Sequence, residues 1–448
     1  MIKRKIYSRL CDFYRHSNKA LLITGARQTG KSFIARQFGQ SEFKHFVEVN
    51  CIEQPAARQI FTNATNAQDI LVRLSAFTTE PMVKGETLVF LDEVQECPEA
   101  VTAIKFLVEE GSYRYILSGS LLGVEMRDLR SAPVGYMDIW EMYPLDMEEF
   151  FEAVGVSVPV MNHLQEAWKE TKPVDAVVHE KLMAVFRLYL IVGGMPAVVQ
   201  KYLDTNNLQL VMQEQKAILK LYEIDIAKYD PNNKLYIREI FHLIPPELNA
   251  KNKRFILKNL NENLKFSRFE NSFIWLKEAG VALPVYSVEE PVAPLVLSRS
   301  RNLFKLFQND VGLLAALYAD GIQMRILDND PDLNFGAIYE NFVAQELHAH
   351  GFDLYYFNSK RQGEVDFVVE KSGMALPIEV KSGKAYQRHR ALSNIMSDDS
   401  YHIREAVVLS GANVSVEGHI KYLPIYMLMF LTQEAPNSLL YKVDLPTL

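Results

Sequence analysis

The sequence predicts an α/β protein: a parallel sheet covered by helices, a mainly helical stretch, and then a second α/β region. Three observations carry this. Short apolar runs at Ala20–Ile23, Phe46–Val49, Thr87–Leu91, Tyr113–Leu117 and Tyr136–Trp140 alternate with helical stretches over residues 1–150, the pattern of β-α repeats around a parallel sheet. A glycine-containing segment, Gly25–Ser32, directly follows the first of these runs and opens a helix. A second alternation begins after Leu333, with a helix at Phe335–His350, strand-like runs at Leu354–Phe357, Val365–Val369 and Pro377–Val380, a helix near Tyr386–Met396 and a strand at Ala406–Leu409.

Between the two α/β regions the pattern changes. Residues 151–230 read as helical, broken at Gly193-Gly194-Met195-Pro196, a strong loop signal. Residues 231–330 hold short helices and a hairpin-like stretch at Val281–Val296, rich in Val and Pro. Helices followed by a small β-ribbon suggest a winged-helix module. The expected domains are therefore 1–150, 151–230, 231–330 and 331–448.

Length and composition agree with this plan. A chain of 448 residues fits two or three domains. Its apolar fraction of 48% and charged fraction of 23% are those of an ordinary globular protein. The net charge of −7 gives no global basic field, so any nucleic-acid surface has to be local. The three cysteines, Cys11, Cys51 and Cys97, form no CxxC pair, which suggests neither a disulfide framework nor a zinc site and fits a reducing cytoplasm. Arg9, Asp12, Arg15 and Lys19 interrupt any signal-peptide core. The most apolar late stretch, Leu423–Leu431, contains Pro424 and is far short of the ~20 residues that span a membrane. A buried strand or helix is expected there, and a cytoplasmic protein with no membrane partner.

The segment Gly25-Ala26-Arg27-Gln28-Thr29-Gly30-Lys31-Ser32 fits G-x-x-x-x-G-K-[ST] at every fixed position, in a strand–loop–helix context. Its glycines let backbone N–H groups wrap phosphates, and the helix N-terminus adds partial positive charge. Lys31 is expected on the β- and γ-phosphates of ATP and the Ser32 hydroxyl on Mg²⁺. The run Leu88–Leu91 ends in Asp92 and Glu93. Asp92 is placed to hold Mg²⁺ through water, and Glu93 to polarise the attacking water as general base. A Glu directly after that Asp favours a hydrolase over a kinase.

The late region carries a second set of carboxylates: Glu340 on a helix, Asp366 on a strand, and Glu379-Val380-Lys381 on the next strand. Residues i and i+2 of a strand share a face, so Glu379 and Lys381 project together, with Lys371-Ser372-Gly373 as the turn between the strands. The spacing is similar to the PD-(D/E)XK nuclease pattern, in which two carboxylates hold Mg²⁺ and the lysine orients water. Glu340 would complete the metal shell, making Glu340, Asp366 and Glu379 the metal set. A solvated face with a cross-strand ion pair accounts for the same spacing.

Residues 250–268 hold six cations, Lys251, Lys253, Arg254, Lys258, Lys265 and Arg268, against one acid, Glu262. This is read either as a phosphate-contacting surface or as a solvated helix face.

Taken together these segments resemble a family of bacterial and archaeal AAA ATPases fused to a C-terminal domain of unknown function with a restriction-endonuclease-like fold. The resemblance runs nearly end to end. Beyond the segments above it rests on Leu117–Ser120, Tyr143-Pro144-Leu145 with Glu149-Phe150, Gly193–Pro196, Phe304-Lys305-Leu306 with Asp310–Leu314, Gly336–Val343, Glu364–Phe367 and Pro377–Lys381. It implies that Ser118 or Ser120 senses the γ-phosphate. AAA proteins often form rings, so one reading is a homo-oligomer in which Arg127 or Arg130 serves as an arginine finger for a neighbour's nucleotide; the alternative is that these arginines are simply solvated. One departure is that Gly135 is followed by Tyr136, where many members have Gly-Arg. The resemblance fixes fold better than purpose; the leading expectation is an Mg²⁺-dependent ATP hydrolase acting on DNA, with branched or broken duplex as the candidate form. The alternative is a nucleotide-switched interaction protein whose nuclease fold only binds.

Overall fold

The computed structural model describes residues 2–64, 66–119, 133, 135–229, 234–250, 253–255, 270–330, 333 and 335–433. Arg127, Arg130, Ser120 and most of the basic stretch 250–268 lie outside these residues.

The first sheet is built from β1 (Ala20–Thr24), β2 (His45–Asn50), β3 (Thr87–Asp92), β4 (Arg114–Ser118) and β5 (Met137–Glu141). Its order is β2-β3-β4-β1-β5, and every pairing is parallel. Alternate residues serve opposite faces, as strand geometry requires. Leu22, Val89, Leu91 and Leu117 pack under helices Ala67–Phe77 and Pro98–Glu110. Leu21, Ile23, Phe90 and Ile116 pack under helices Lys5–His16 and Lys31–Glu42. Burial on both faces explains why β1, β3 and β4 read as unbroken apolar runs. The order also puts β4, which ends in Ser118, between the strand that feeds the glycine loop and the strand that ends in Asp92.

Helices Met147–Ala153, Val158–Glu170, Ala176–Val192, Pro196–Thr205, Leu208–Tyr229, Lys234–Asn249 and Glu270–Glu278 follow. The second sheet comprises β6 (Ala282–Val288), β7 (Arg299–Gln308), β8 (Tyr355–Ser359), β9 (Gly363–Lys371), β10 (Met374–Val380), β11 (Ala406–Ser410), β12 (Ser415–Glu417) and β13 (Ile420–Pro424). Its order is β12-β13-β11-β10-β9-β8-β6-β7. The turn between β9 and β10 falls at Lys371–Met374, with Ser372 and Gly373 both at positive φ.

The hairpin expected at Val281–Val296 within 231–330 is placed in the second sheet. Strand β6 pairs antiparallel with β7, which starts only at Arg299, and parallel with β8 through Tyr286↔Tyr355. The hairpin is thus part of the second sheet, and a boundary at 330/331 cuts across that sheet. The reason is backbone satisfaction: the free edge of β6 finds its hydrogen-bond partners in β8 rather than in solvent.

Helix Gly336–Ala349 lies against this sheet, and every residue from Ala337 to Leu347 is buried. A helix buried all round sits in a core. Phe342 contacts Phe186 and Tyr189 edge-on, with ring centroids 4.9 and 5.9 Å apart. Truncating such a ring to alanine costs about 3–5 kcal/mol. The late apolar stretch is β13 followed by the short turn Ile425–Phe430, nearly all of it buried. No helix among the described residues is long and apolar enough to cross a membrane.

Candidate functional site: a nucleotide cleft and a carboxylate pocket

The glycine loop leaves β1 at Thr24 and enters helix Lys31–Glu42 through Gly30, at φ 94°. Gly25 has φ 124°, and a Cβ there would strike the backbone of Met142, so glycine is required by both conformation and space. Gln28 also has positive φ, 67°. The loop is braced from outside. The Arg4 guanidinium donates to the Thr29 carbonyl at 3.1 Å and the Tyr143 carbonyl at 2.7 Å, and pairs with Glu149 at 3.0 Å. The Arg27 side chain pairs with Asp225 at 2.8 Å, and Tyr222 donates its hydroxyl to the Arg27 carbonyl at 3.3 Å. Sequence reasoning did not find Arg4, Tyr222 or Asp225, because they are remote along the chain and belong to no motif.

Lys31 is buried and donates to the carbonyls of Gly25 at 3.0 Å and Ala26 at 2.7 Å. Burial pushes its pKa down to about 8, while Glu93 and Asp92 oppose the fall. Asp92 is 2% exposed. It accepts from Ser32 Oγ at 2.9 Å, from the Glu93 N–H at 3.1 Å, from Asn50 Nδ2 at 3.3 Å, and from Ser118 Oγ. Ser118 thus stands beside Asp92, delivered there by β4. Glu93 adopts a left-handed conformation, φ 55° and ψ 47°, uncommon for a residue with a side chain, and accepts from Gln95 Nε2 at 2.5 Å. Strain of this kind costs of order 1–3 kcal/mol and clusters at functional sites.

Arg27, Lys31, Ser32, Glu93, Met142 and Pro196 line a cleft of about 470 Å³, within the range of small-molecule sites. Pro196, with Gln200, comes from the helical region and closes one side. The oxygen donors Ser32 and Asp92, 2.9 Å apart, suit a hard divalent cation such as Mg²⁺. Tyr136 lies against Lys105, 5.5 Å from ring centroid to Nζ.

The carboxylates of the second sheet meet differently. Glu340, Asp366 and Lys381 line one pocket of about 410 Å³. Lys381 Nζ lies 2.7 Å from Glu379 Oε1, and the Val380 N–H donates to Asp366 Oδ2 at 2.8 Å. Burial, then the nearby Asp366 charge, pushes Glu379 up to about 8 against the pull of Lys381, and its Oε2 has no hydrogen-bond partner among the described residues. Two further lysines enter. Lys253 pairs with Glu340. Lys305, fully buried, lies 2.9 Å from Glu364, 3.5 Å from Glu340 and 4.0 Å from Asp366. No group of three or more His, Cys, Asp or Glu among the described residues is arranged to hold a metal ion. Within the expected metal set of Glu340, Asp366 and Glu379, Lys253 pairs with Glu340, Lys381 pairs with Glu379, and Lys305 lies near both Glu340 and Asp366. Lys253 is a described cation of the basic stretch 250–268. It is tied to Glu340, and its neighbour Phe255 is buried, with ring centroid 5.2 Å from that of Phe273.

The remaining segments on which the resemblance rests meet where the two α/β regions join. The Leu145 N–H donates to the Gly194 carbonyl at 2.7 Å, and the Gly194 N–H to Asp310 at 2.6 Å. The Asp310 carboxylate also caps helix Val311–Leu317 through the Leu313 N–H at 2.9 Å. On helix Gly336–Ala349, Asn341 exchanges hydrogen bonds with the Gln308 backbone at 2.8 and 3.1 Å, Gln345 accepts from the Val311 N–H at 2.8 Å, and Glu346 accepts from the Met147 N–H at 3.2 Å. One helix thus bears on both the first domain and the carboxylate pocket.

Residues 17–151 match the family described as an AAA domain. Residues 183–325 and 335–428 match two domains of unknown function, DUF8612 and DUF4143. No curated protein matches the sequence. Among solved structures, the chain is similar to a Walker-type ATPase of Pyrococcus abyssi, at 14% identity over 71% of this chain and 96% of that one, with a TM-score of 0.42. It is similar to the Orc1 protein of Aeropyrum pernix, solved in complex with DNA, at 12% identity over 73% and 94%, TM-score 0.29. It is also similar to a RuvB variant of Thermotoga maritima, at 14% identity over 63% and 89%, TM-score 0.29. With its glycine loop, its paired carboxylates and its parallel sheet, the matched N-terminal part of this chain is an AAA-type P-loop ATPase domain.

Proposed function

We propose that the chain is an Mg²⁺-dependent ATP hydrolase that uses nucleotide occupancy to control its C-terminal region. The observation that carries the reading is the meeting of Ser32 and Asp92 at 2.9 Å, with Lys31 and Glu93 lining the same cleft. The loop N–H groups and Lys31 hold the phosphates. Ser32 and Asp92 hold Mg²⁺, which when bound neutralises phosphate charge. Glu93 orients the attacking water and takes its proton, and Ser118, on Asp92, answers the γ-phosphate. Hydrogen bonds linking the Arg27 carbonyl to Tyr222 and Tyr222 to Asn309 Nδ2, each 3.3 Å, support coupling from the loop to the Asp310 junction.

DNA is the proposed target of the C-terminal region, because Lys253, Lys381 and Arg388 line its pocket and phosphates are recognised by such cations. The second reading, a nucleotide-switched interaction protein, is favoured by the lysines already seated among the carboxylates. ATP hydrolysis by the full chain, alone and with single-stranded, duplex and branched DNA, separates them, with Lys31→Ala as the blank. A rise with one DNA form supports the first reading. A response flat to DNA, with nucleotide-dependent capture of a protein, supports the second.

A further inference from the structure

The carboxylate pocket leaves one segment of the resemblance unexplained: Phe304-Lys305-Leu306 on β7. Phe304 and Leu306 face one side of the strand and are buried, as alternation predicts for a core face. Lys305 must face the other side, where a lysine is ordinarily solvated. Instead it is fully buried, because helix Gly336–Ala349 and strands β8 and β9 enclose that side. Its side chain lies across the sheet with Nζ 5.1 Å from the Tyr356 ring centroid. Around Nζ stand Glu364 at 2.9 Å, Glu340 at 3.5 Å and Asp366 at 4.0 Å.

That is the environment of a bound cation: three carboxylates from two elements and an aromatic face converging on one positive charge. Carboxylates gathered this closely cannot all stay ionised without a counter-charge, and a buried ammonium without partners costs several kcal/mol. A divalent metal ion answers the first requirement in a nuclease. Here a tethered ammonium answers both. We infer that Lys305 is the resident cation of the C-terminal pocket, taking the place of a divalent metal ion, so that the site is built to work without metal. Lys253 on Glu340 and Lys381 on Glu379 extend the same neutralisation to the remaining carboxylates. An incoming ion would have to displace an ammonium group already placed among Glu364, Glu340 and Asp366, and that cost opposes binding. The inference does not depend on what the nucleotide cleft does.

Binding of Mn²⁺, used as the probe, by the full chain without nucleotide tests it, read by the electron paramagnetic resonance of free Mn²⁺. The wild type and Asp366→Asn are expected to bind Mn²⁺ identically, since the pocket holds none in either. Lys305→Met, which keeps the length of the side chain and removes its charge, is expected to gain one site that Lys305→Met/Asp366→Asn loses again. Mn²⁺ bound by the wild type and lost in Asp366→Asn would overturn the inference. So would a folded Lys305→Met protein that gains no site. If Lys305→Met does not fold, the comparison of wild type with Asp366→Asn still decides, because it needs no lysine variant.

Discussion

The Tyr222 hydroxyl donates to the carbonyl of Arg27 at 3.3 Å, fastening the phosphate-binding loop to helix Leu208–Tyr229. The same hydroxyl accepts from Asn309 Nδ2 at 3.3 Å, one residue before the aspartate that holds Gly194. A single buried phenol thus touches the nucleotide loop on one side and the exit of β7 on the other. Tyr222→Phe keeps the ring in its packed site, deletes both hydrogen bonds and leaves the Asn309 donor buried. A loss of about 1–3 kcal/mol in denaturant unfolding is expected, together with a raised KM for ATP. Unchanged values of both would show that the contact transmits nothing.

Gly194 is the second pressure point. A Cβ on it would land on the backbone of Leu145, where the Leu145 N–H already meets the Gly194 carbonyl at 2.7 Å. Gly194→Ala therefore forces the first domain away from the helical region. Overpacking of this sort costs about 1–3 kcal/mol. The expected result is a lower Tm by calorimetry, and an unchanged Tm would show that the junction tolerates separation.

Asp310 gives the junction a pH dependence. Burial pushes its carboxyl up to about 6, against hydrogen bonds from the Gly194, Leu313 and Gly312 N–H groups. Its unfolded value is near 3.8, so between these values the folded chain holds a proton that the unfolded chain has lost. Stability contributed by this group is present below the unfolded pKa and is lost as pH rises through the folded pKa, by up to about 1.4 kcal/mol per pH unit. Asp310→Asn cannot titrate. The stability of the wild type relative to Asp310→Asn is therefore expected to fall as pH is raised from about 4.5 to 7, measured by urea unfolding. A pH-independent difference would contradict the assignment.

Much of this architecture was legible because its signals are local. The loop Gly25–Ser32, the run ending at Asp92 and Glu93, and the alternation of strands and helices each lie within a few residues of sequence. The α/β class with a P-loop core follows from them and agrees with the first sheet. The partners of the hairpin were not legible because strand pairing is not local. Nothing in Ala282–Val288 announces that Tyr355, far along the chain, will be its parallel neighbour. Arg4 and Tyr222 were missed for the same reason. Lys305 was missed because alternation separates two faces but does not say that both are covered. The clue available was its place inside a segment on which the family resemblance rests, flanked by two buried apolar residues and given no role.

In the proposed function, Glu93 activates water for hydrolysis of ATP held by Lys31, Ser32 and Asp92. The most direct test is to measure ATP binding and Mg²⁺-dependent turnover in wild type and Glu93→Gln side by side. Glu93→Gln is expected to bind ATP as the wild type does while its turnover falls by about 10²–10⁴-fold, the usual worth of a general base. Turnover at the wild-type rate in Glu93→Gln would contradict it.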